Sequence, residues 1–466
     1  VNNGILCIGI DFNLYFYELV QQACGDRRKI KSMTLNETNT AATYPIGQHP
    51  SMPPPASERG IIKWLNINLF NTWYNSIATV LGLYFLYLII PPAFDWVLGS
   101  ATWEASSNKD CRAGAGGACW GFIRARFVLF MYGFYDAESI WRPNLAGILL
   151  VGLAIPVLVP KIPGTRFFAI PLIFLYPWLA ISLLVGPIKI TLFSDPAFLV
   201  LWIVLIISLV FLGFRGIKTN NLSKRGLGFG LAYVAIILIY LNWGLGLAPM
   251  ETNRFGGLLL TLVLALTSIV VSLPLGIVLA LGRRAESLPV VKYFCIGAIE
   301  LFRAVPLITV LFMAVNMIPL FLPQGYSFDN LVIALIGLSI FLGAYMAEVV
   351  RGGLQAIPKG QFEAAASIGL SYYKSTGLIV LPQALKIVIP GIVNTFIAMT
   401  KDTSLVMIIG LFDILMITKS SITDAKWLGL EWEGYAFVGL LFWILCFSMS
   451  RYSQWLERRL DTERRN

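Results

Sequence analysis

Three groups of residues in this 466-residue chain carry charge or polarity where an apolar run makes it costly. Thr400, Lys401, Asp402, Thr403 and Ser404 interrupt an apolar segment that runs from about Ile387 to Leu411. Ionisable groups near mid-bilayer cost a few kcal/mol and normally face protein or water. Lys401 and Asp402 are adjacent, so on a helix they point about 100° apart and cannot both face one neighbour. On one reading, one of them lines a translocation cavity while the other packs against a helix. A Lys/Asp pair with hydroxyl neighbours suits the carboxylate and ammonium of an amino acid. On the other reading, the two neutralise each other's surroundings, hold helices together and touch no substrate. Glu300 with Arg303 and Glu348 with Arg351 are each three residues apart, on one helix face. They fall near span ends, where long side chains can snorkel, and read as helix-end and gate-region ion pairs.

None of this is catalytic. There is no G-x4-G-K-[ST], since Lys374-Ser375 follows Tyr373 without a glycine-rich phosphate cradle, and no H-E-x-x-H or G-x-S-x-G appears. Six scattered cysteines and a single histidine, His49, assemble no metal site. Cys111 and Cys119 share one polar loop placed outside, where a disulfide or two free thiols both fit. Cys295 and Cys446 read as small core residues.

The elements that must position these residues are membrane helices. Hydrophobic residues make up 57% of the chain and charged ones 13%, and mean hydropathy is +0.74. A soluble chain of this size needs about twice that charge to cover its surface. The fold class is therefore all-α, a polytopic helical membrane protein, without the alternating strands of an outer-membrane barrel. Ten candidate spans follow: Trp73–Ile90, Asn144–Val159, Phe167–Val185, Ala197–Phe214, Gly228–Leu247, Gly256–Leu281, Phe294–Phe321, Leu331–Val350, Ile387–Leu411 and Tyr435–Ser450. Pro156, Pro171 and Pro177 read as kinks, and Pro306 with Pro319 as bends of the seventh span.

The net charge of +10 reads as topology, with no nucleic-acid partner. Arg59 and Lys63, Lys161 and Arg166, Arg215 to Arg225, Arg283 and Arg284, Arg351 to Lys374, and the tail from Arg451 fall on one side if the N-terminus is cytoplasmic and the span count even. Both termini are then cytoplasmic. Residues 1–72 read as a cytoplasmic tail, disordered by composition, with 1–32 as over-called translation and Met33 as the start. Residues 73–250 form a five-span extension with an outer loop at 92–142. Its stretch Trp120–Tyr135 fits either the membrane surface or a packed extracellular helix. Residues 251–466 form a second five-span domain, with a polar loop at 351–386.

That loop contains Glu363-Ala364-Ala365, then Gly369, then Ile379-Val380-Leu381-Pro382. Gln361–Ile368 is a good helix former, with Glu363 near its N-terminus complementing the dipole. Gly369 allows a sharp turn, and a second short helix, Tyr372–Val380, is expected to end before Pro382. Two short helices joined at a glycine make a rigid element that transmits force.

The pattern E-A-A-x3-G-x9-I-x-L-P resembles the cytoplasmic loop by which membrane subunits of type I ABC importers dock onto their ATPase. Residues 251–466 look like the permease domain of polar amino-acid importers, the histidine/glutamine/glutamate branch. Glu300-Leu301-Phe302-Arg303-Ala304-Val305-Pro306-Leu307, Ala347-Glu348-Val349-Val350-Arg351-Gly352-Gly353, Lys401-Asp402-Thr403-Ser404-Leu405 and Gly256-Gly257-Leu258…Thr261-Leu262 support the match. The extra spans and Gly117-Ala118-Cys119-Trp120 resemble the M-type permease of the general L-amino-acid importer. The resemblance implies a permease subunit in the bacterial inner membrane that is not itself an enzyme. It implies that Glu363, Ala364, Ala365, Gly369, Ile379, Leu381 and Pro382 meet ABC ATPase subunits, which use the ATP and Mg while this chain binds no cofactor. A second, Q-type permease, a periplasmic amino-acid-binding protein and membrane lipid are the other implied partners. The rival is an ion-coupled secondary transporter using Asp402 or Glu348 as its ion site, which leaves the loop unexplained.

Overall fold

The computed structural model describes residues 60–113, 116–159, 165–187, 244–321 and 329–464, with a few positions between 233 and 240. The tail to residue 59, the fourth expected span, most of the fifth and the basic stretch 215–225 lie outside the described residues.

Two compact units divide after Ile89. The first contains α1 (Gly60–Asn68) and most of α2 (Trp73–Phe94). Among the described residues α2 buries no side chain, and it is apolar all round, as expected of a helix bathed in lipid.

In the chain as described, six helices are long and apolar enough to cross a membrane, and two bent pairs would make eight. These follow the expected spans in order, leaving out the two that lie on undescribed residues. The third expected span is α6 (Thr165–Phe174) and α7 (Tyr176–Leu184), bent by 45° at Leu175. The seventh differs more. It is two helices, α9 (Pro289–Ala304) and α10 (Leu307–Met317), turned by 104° at Val305-Pro306. Pro306 breaks the segment there, because its ring excludes the helical conformation of Val305, which is extended at ψ 134°.

The centre of the second unit is α8 (Gly257–Arg283) against α11 (Asn330–Ala356). Small residues set their spacing: a Cβ on Gly276 would lie 2.7 Å from Met346 Cβ, and one on Gly343 2.7 Å from Leu275 Cδ2. Between membrane helices, such close approach supplies the packing that hydrophobicity cannot. α14 (Leu381–Asp402) also packs against α11, where Gly353 faces the carbonyl of Ala384. Two apolar clusters fill the interior. One gathers Leu260, Leu264, Leu311, Leu338 and Val406, and the other gathers Ile299, Met346, Val350, Leu354 and Val380.

The end of the core near Gly256 is fastened by the loop 92–142. α3 (Asn108–Ala113) and α4 (Trp120–Tyr132) are joined by a disulfide between Cys111 and Cys119. α4 is a packed helix: Phe122 and Phe130 are fully buried, against Trp427 and Phe437. The Cys119 amide donates to Glu433 Oε1 at 3.1 Å, Asn108 N–H donates to the Lys426 carbonyl at 2.9 Å, and Arg126 pairs with Asp424.

At the same end Gly256 and Gly257 form parallel bridges to Phe412 and Asp413. Asp413 is fully buried and caps α15 (Ile414–Ile422), accepting from the amides of Leu415 and Met416 at 3.2 and 3.0 Å. Burial pushes its carboxyl up to about 6, against the pull of those two amides.

Candidate functional site

The polar loop is shorter than the sequence implies. α11 runs on to Ala356, so Arg351 belongs to its last turns. Then comes α12 (Lys359–Ser367). Glu363 is its fifth residue and does not sit in the first turn, because the helix starts at Pro358-Lys359, ahead of the expected Gln361. Glu363, Ala364 and Gly369 are exposed, whereas Ala365 is buried against the body.

Gly369 closes α12 at φ 77°, with the amide of Leu370 bonded to the Ala365 carbonyl and that of Gly369 to Ala366. This is the glycine stop in which a left-handed residue returns two amides to the last turn. A side chain there would meet backbone strain, though it would have open space.

The chain then does not end a second helix at Pro382. α13 (Tyr372–Ser375) leads into a π turn, Thr376–Val380, and on into α14. Pro382 lacks an N–H and would clash with the carbonyl four residues back in an α-helix. The widened turn, in which Leu381 N–H reaches the Thr376 carbonyl, accommodates it. Residues Tyr372–Ile409 thus form one continuous helical span. Ile379 and Leu381 are half-buried at the root of this helix, Pro382 is exposed, and Val380 is fully buried. Ile368, Tyr372, Tyr373 and Leu378 are exposed around them.

Further along α14 lies a cavity of about 680 Å³ lined by Arg303, Pro306, Tyr345, Asn394 and Asp402 among others. Of the five polar residues singled out at 400–404, only Asp402 lines it. Thr400, Thr403 and Ser404 turn their hydroxyls to helix carbonyls, those of Phe396, Thr400 and Lys401 respectively. Lys401 is exposed and does not line the cavity. The 100° between adjacent residues accounts for the split.

The two expected ion pairs are also rearranged. Glu348–Arg351 stands, with Oε2 accepting at 2.6 and 2.8 Å. Glu300 pairs instead with Arg283, at 3.0 Å. Arg283 also reaches Glu348 at 2.7 Å, and Arg303 approaches Glu348 at 3.8 Å. Arg283 entered the sequence reading only as a topological charge, because its partners Glu300 and Glu348 are 17 and 65 residues away and helical spacing reveals only local pairs.

Residues 272–462 match the family model described as "Binding-protein-dependent transport system inner membrane component". Over 418 residues the chain is 42% identical to the inner membrane amino-acid ABC transporter permease protein YhdY of Escherichia coli K12, covering 89% of this chain and 97% of that protein. The chain belongs to the amino-acid ABC transporter permeases. It is also 41% identical over 434 residues to the glutamate/glutamine/aspartate/asparagine transport system permease protein BztC of Rhodobacter capsulatus, covering 89% and 96%. A shorter relative, the glutamate/aspartate import permease protein GltK of Escherichia coli O6:H1, is 33% identical over 223 residues, which are 47% of this chain and 97% of that permease. The permease is thus an inner-membrane, multi-pass protein in which a core shared with shorter relatives carries a long additional segment.

Proposed function

We propose that this permease forms one half of the pore of an importer for polar L-amino acids, and that ATP hydrolysis on a separate ATPase drives it through the loop at 359–382. One observation carries the reading. The motif residues Glu363 and Ala364 are exposed on a short helix closed by the exposed Gly369, and the chain that follows runs through the π turn into the helix that lines the cavity with Asp402. Ala365, Ile379 and Leu381 root that helix pair in the body, and Pro382 sets the π turn. In this reading ATP and Mg stay on the partner, and this chain binds neither.

The loop end of the core then faces the cytoplasm, as do both termini, and the disulfide end faces the periplasm and the amino-acid-binding protein. A second, Q-type permease closes the cavity from the open side, and lipid surrounds the apolar helices. Glutamate, glutamine, aspartate and asparagine are named for BztC, and glutamate and aspartate for GltK; a carboxylate in an apolar cavity suits the ammonium group of such cargo.

Vesicles reconstituted with this permease, its partner permease, the ATPase and the binding protein provide the test. Glu363→Lys should abolish ATP-driven uptake and ATPase co-purification while the protein stays in the membrane. Uptake that survives Glu363→Lys and ATP depletion but collapses with an uncoupler would overturn the reading.

A further inference from the structure

The loop and the cavity are joined by a run of side chains that extends the expected pairs at Glu300 and Glu348. Phe362 of α12 carries Arg284 over its ring, 5.8 Å from guanidinium to centroid. Arg284 also reaches the Leu354 carbonyl near the end of α11. Its neighbour Arg283 is shared by Glu300 and Glu348 at 3.0 and 2.7 Å. Glu348 is 14% exposed and gathers three arginines, of which Arg303 is the most distant at 3.8 Å. Arg303 lies over the Tyr345 ring at 5.7 Å, and both line the cavity.

Arg303 thus belongs to two sites. Its hold on Glu348 is the longest of the three, and Glu348 keeps two close partners without it. On the cavity side stand Pro306 and Leu307, the latter the first residue of α10, where the helix presents its positive end. Asp402 faces the same space and makes no hydrogen bond or ion pair among the described residues. A guanidinium and a helix N-terminus suit a carboxylate, the former in bidentate fashion, and a free carboxylate suits an ammonium.

We infer that Arg303 is a cargo-sensing residue: the α-carboxylate of an amino acid in the cavity draws it off Glu348, and the loss is felt at the docking helix through Arg283, Arg284 and Phe362. This rests on the transport reading above. The switch has two discrete arrangements, Arg303 on Glu348 or on cargo, which is what coupling between separated sites requires. By linkage, engagement of the ATPase changes the affinity of the cavity by the same factor.

The experiment uses the complete transporter in vesicles and the L-amino acid, among the twenty, that most stimulates wild-type ATP hydrolysis. Arg303→Gln should reduce the cargo-stimulated part of hydrolysis and the uptake by about 5- to 150-fold, the usual span of such couplings. Arg303→Lys, which keeps the charge but not the fork, should fall between. Glu348→Gln should raise hydrolysis without cargo several-fold, since the latch no longer holds. Combining Arg303→Gln with Glu348→Gln should leave the cargo response no lower than Arg303→Gln alone, a non-additivity that two separate structural defects do not produce. A cargo response that survives Arg303→Gln, or defects that simply add, would overturn the inference while leaving the transport reading intact. If no amino acid stimulates hydrolysis or enters vesicles with the wild-type complex, the transport reading itself fails.

Discussion

The two ends of the permease core are built from different kinds of contact. At the Gly256 end ion pairs such as Arg126–Asp424 are backed by covalent and backbone-borne fastenings: the Cys111–Cys119 disulfide, the bridges of Gly256 and Gly257 to Phe412 and Asp413, and the capped, buried Asp413. At the loop end they are side-chain ion pairs around Glu348, with arginines from α8, α9 and α11. Backbone bridges and disulfides have one arrangement. Ion pairs can change partners without unfolding anything. The contrast separates a fixed end from an end that can rearrange.

The largest effect expected from attacking this contrast is at Glu348. Glu348→Ala leaves three arginines together with no shared counter-charge; removing one partner of an ionic cluster costs up to about 3–5 kcal/mol where it is fully buried, and this one is partly exposed. Thermal unfolding of the purified protein should show a marked drop, partly restored by added salt, which screens the remaining repulsion. An unchanged midpoint would mean that the loop end does not depend on its ion pairs.

Asp413 gives the next effect, and it depends on pH. Its carboxyl is raised to about 6 in the folded protein from 3.8, so the folded state holds the proton more tightly than the unfolded one. The stabilisation is fully present below about pH 4 and is lost as pH rises through about 6, on the order of 3 kcal/mol in all. Asp413→Asn keeps a good cap and removes the buried charge. Its stability should stay flat between pH 4 and 7 where the parent declines, as followed by unfolding midpoints in detergent. A parent with no decline in that window would show that Asp413 is better solvated than its burial implies.

The disulfide comes third. Its cysteines are eight residues apart, and closing so short a loop contributes about 2–3 kcal/mol in the chain-entropy view. Cys111→Ser with Cys119→Ser should lower the unfolding midpoint and make it insensitive to reductant, whereas the parent should fall to the same value when reduced. Equal sensitivity of both proteins to reductant would remove the covalent part of the contrast.

Much of this was legible in the sequence, for identifiable reasons. Span positions follow from apolar length, which the bilayer fixes, so each expected span on described residues has its counterpart. The turn after the E-A-A stretch was legible because Gly369 takes a left-handed backbone that glycine favours. What sequence missed depends on distant partners. Glu300 and Arg303 sit at helical spacing, yet Glu300 takes Arg283 from another helix because that guanidinium is nearer. The preference of residues before proline for extended backbone predicted an end at Leu381. That preference fails at Leu381, where a widened turn supplied another solution, and it holds at Val305, where only a bend was expected. The facing of Lys401 and Asp402 was left open because periodicity gives their angular separation but not which direction holds the cavity.

The widened turn at Thr376–Val380 has one further consequence. A π turn is an α-helix with a residue inserted, and each residue advances a helix by about 100°. The turn therefore sets the angular phase between the exposed face around Tyr372 and every side chain from Pro382 to Asp402. Deleting one residue there would let an ordinary α turn form and would rotate one part against the other by about that angle. The spacing between Gly369 and Ile379 is in this sense a timing mark: it fixes which way Asp402 points when the loop is held in place.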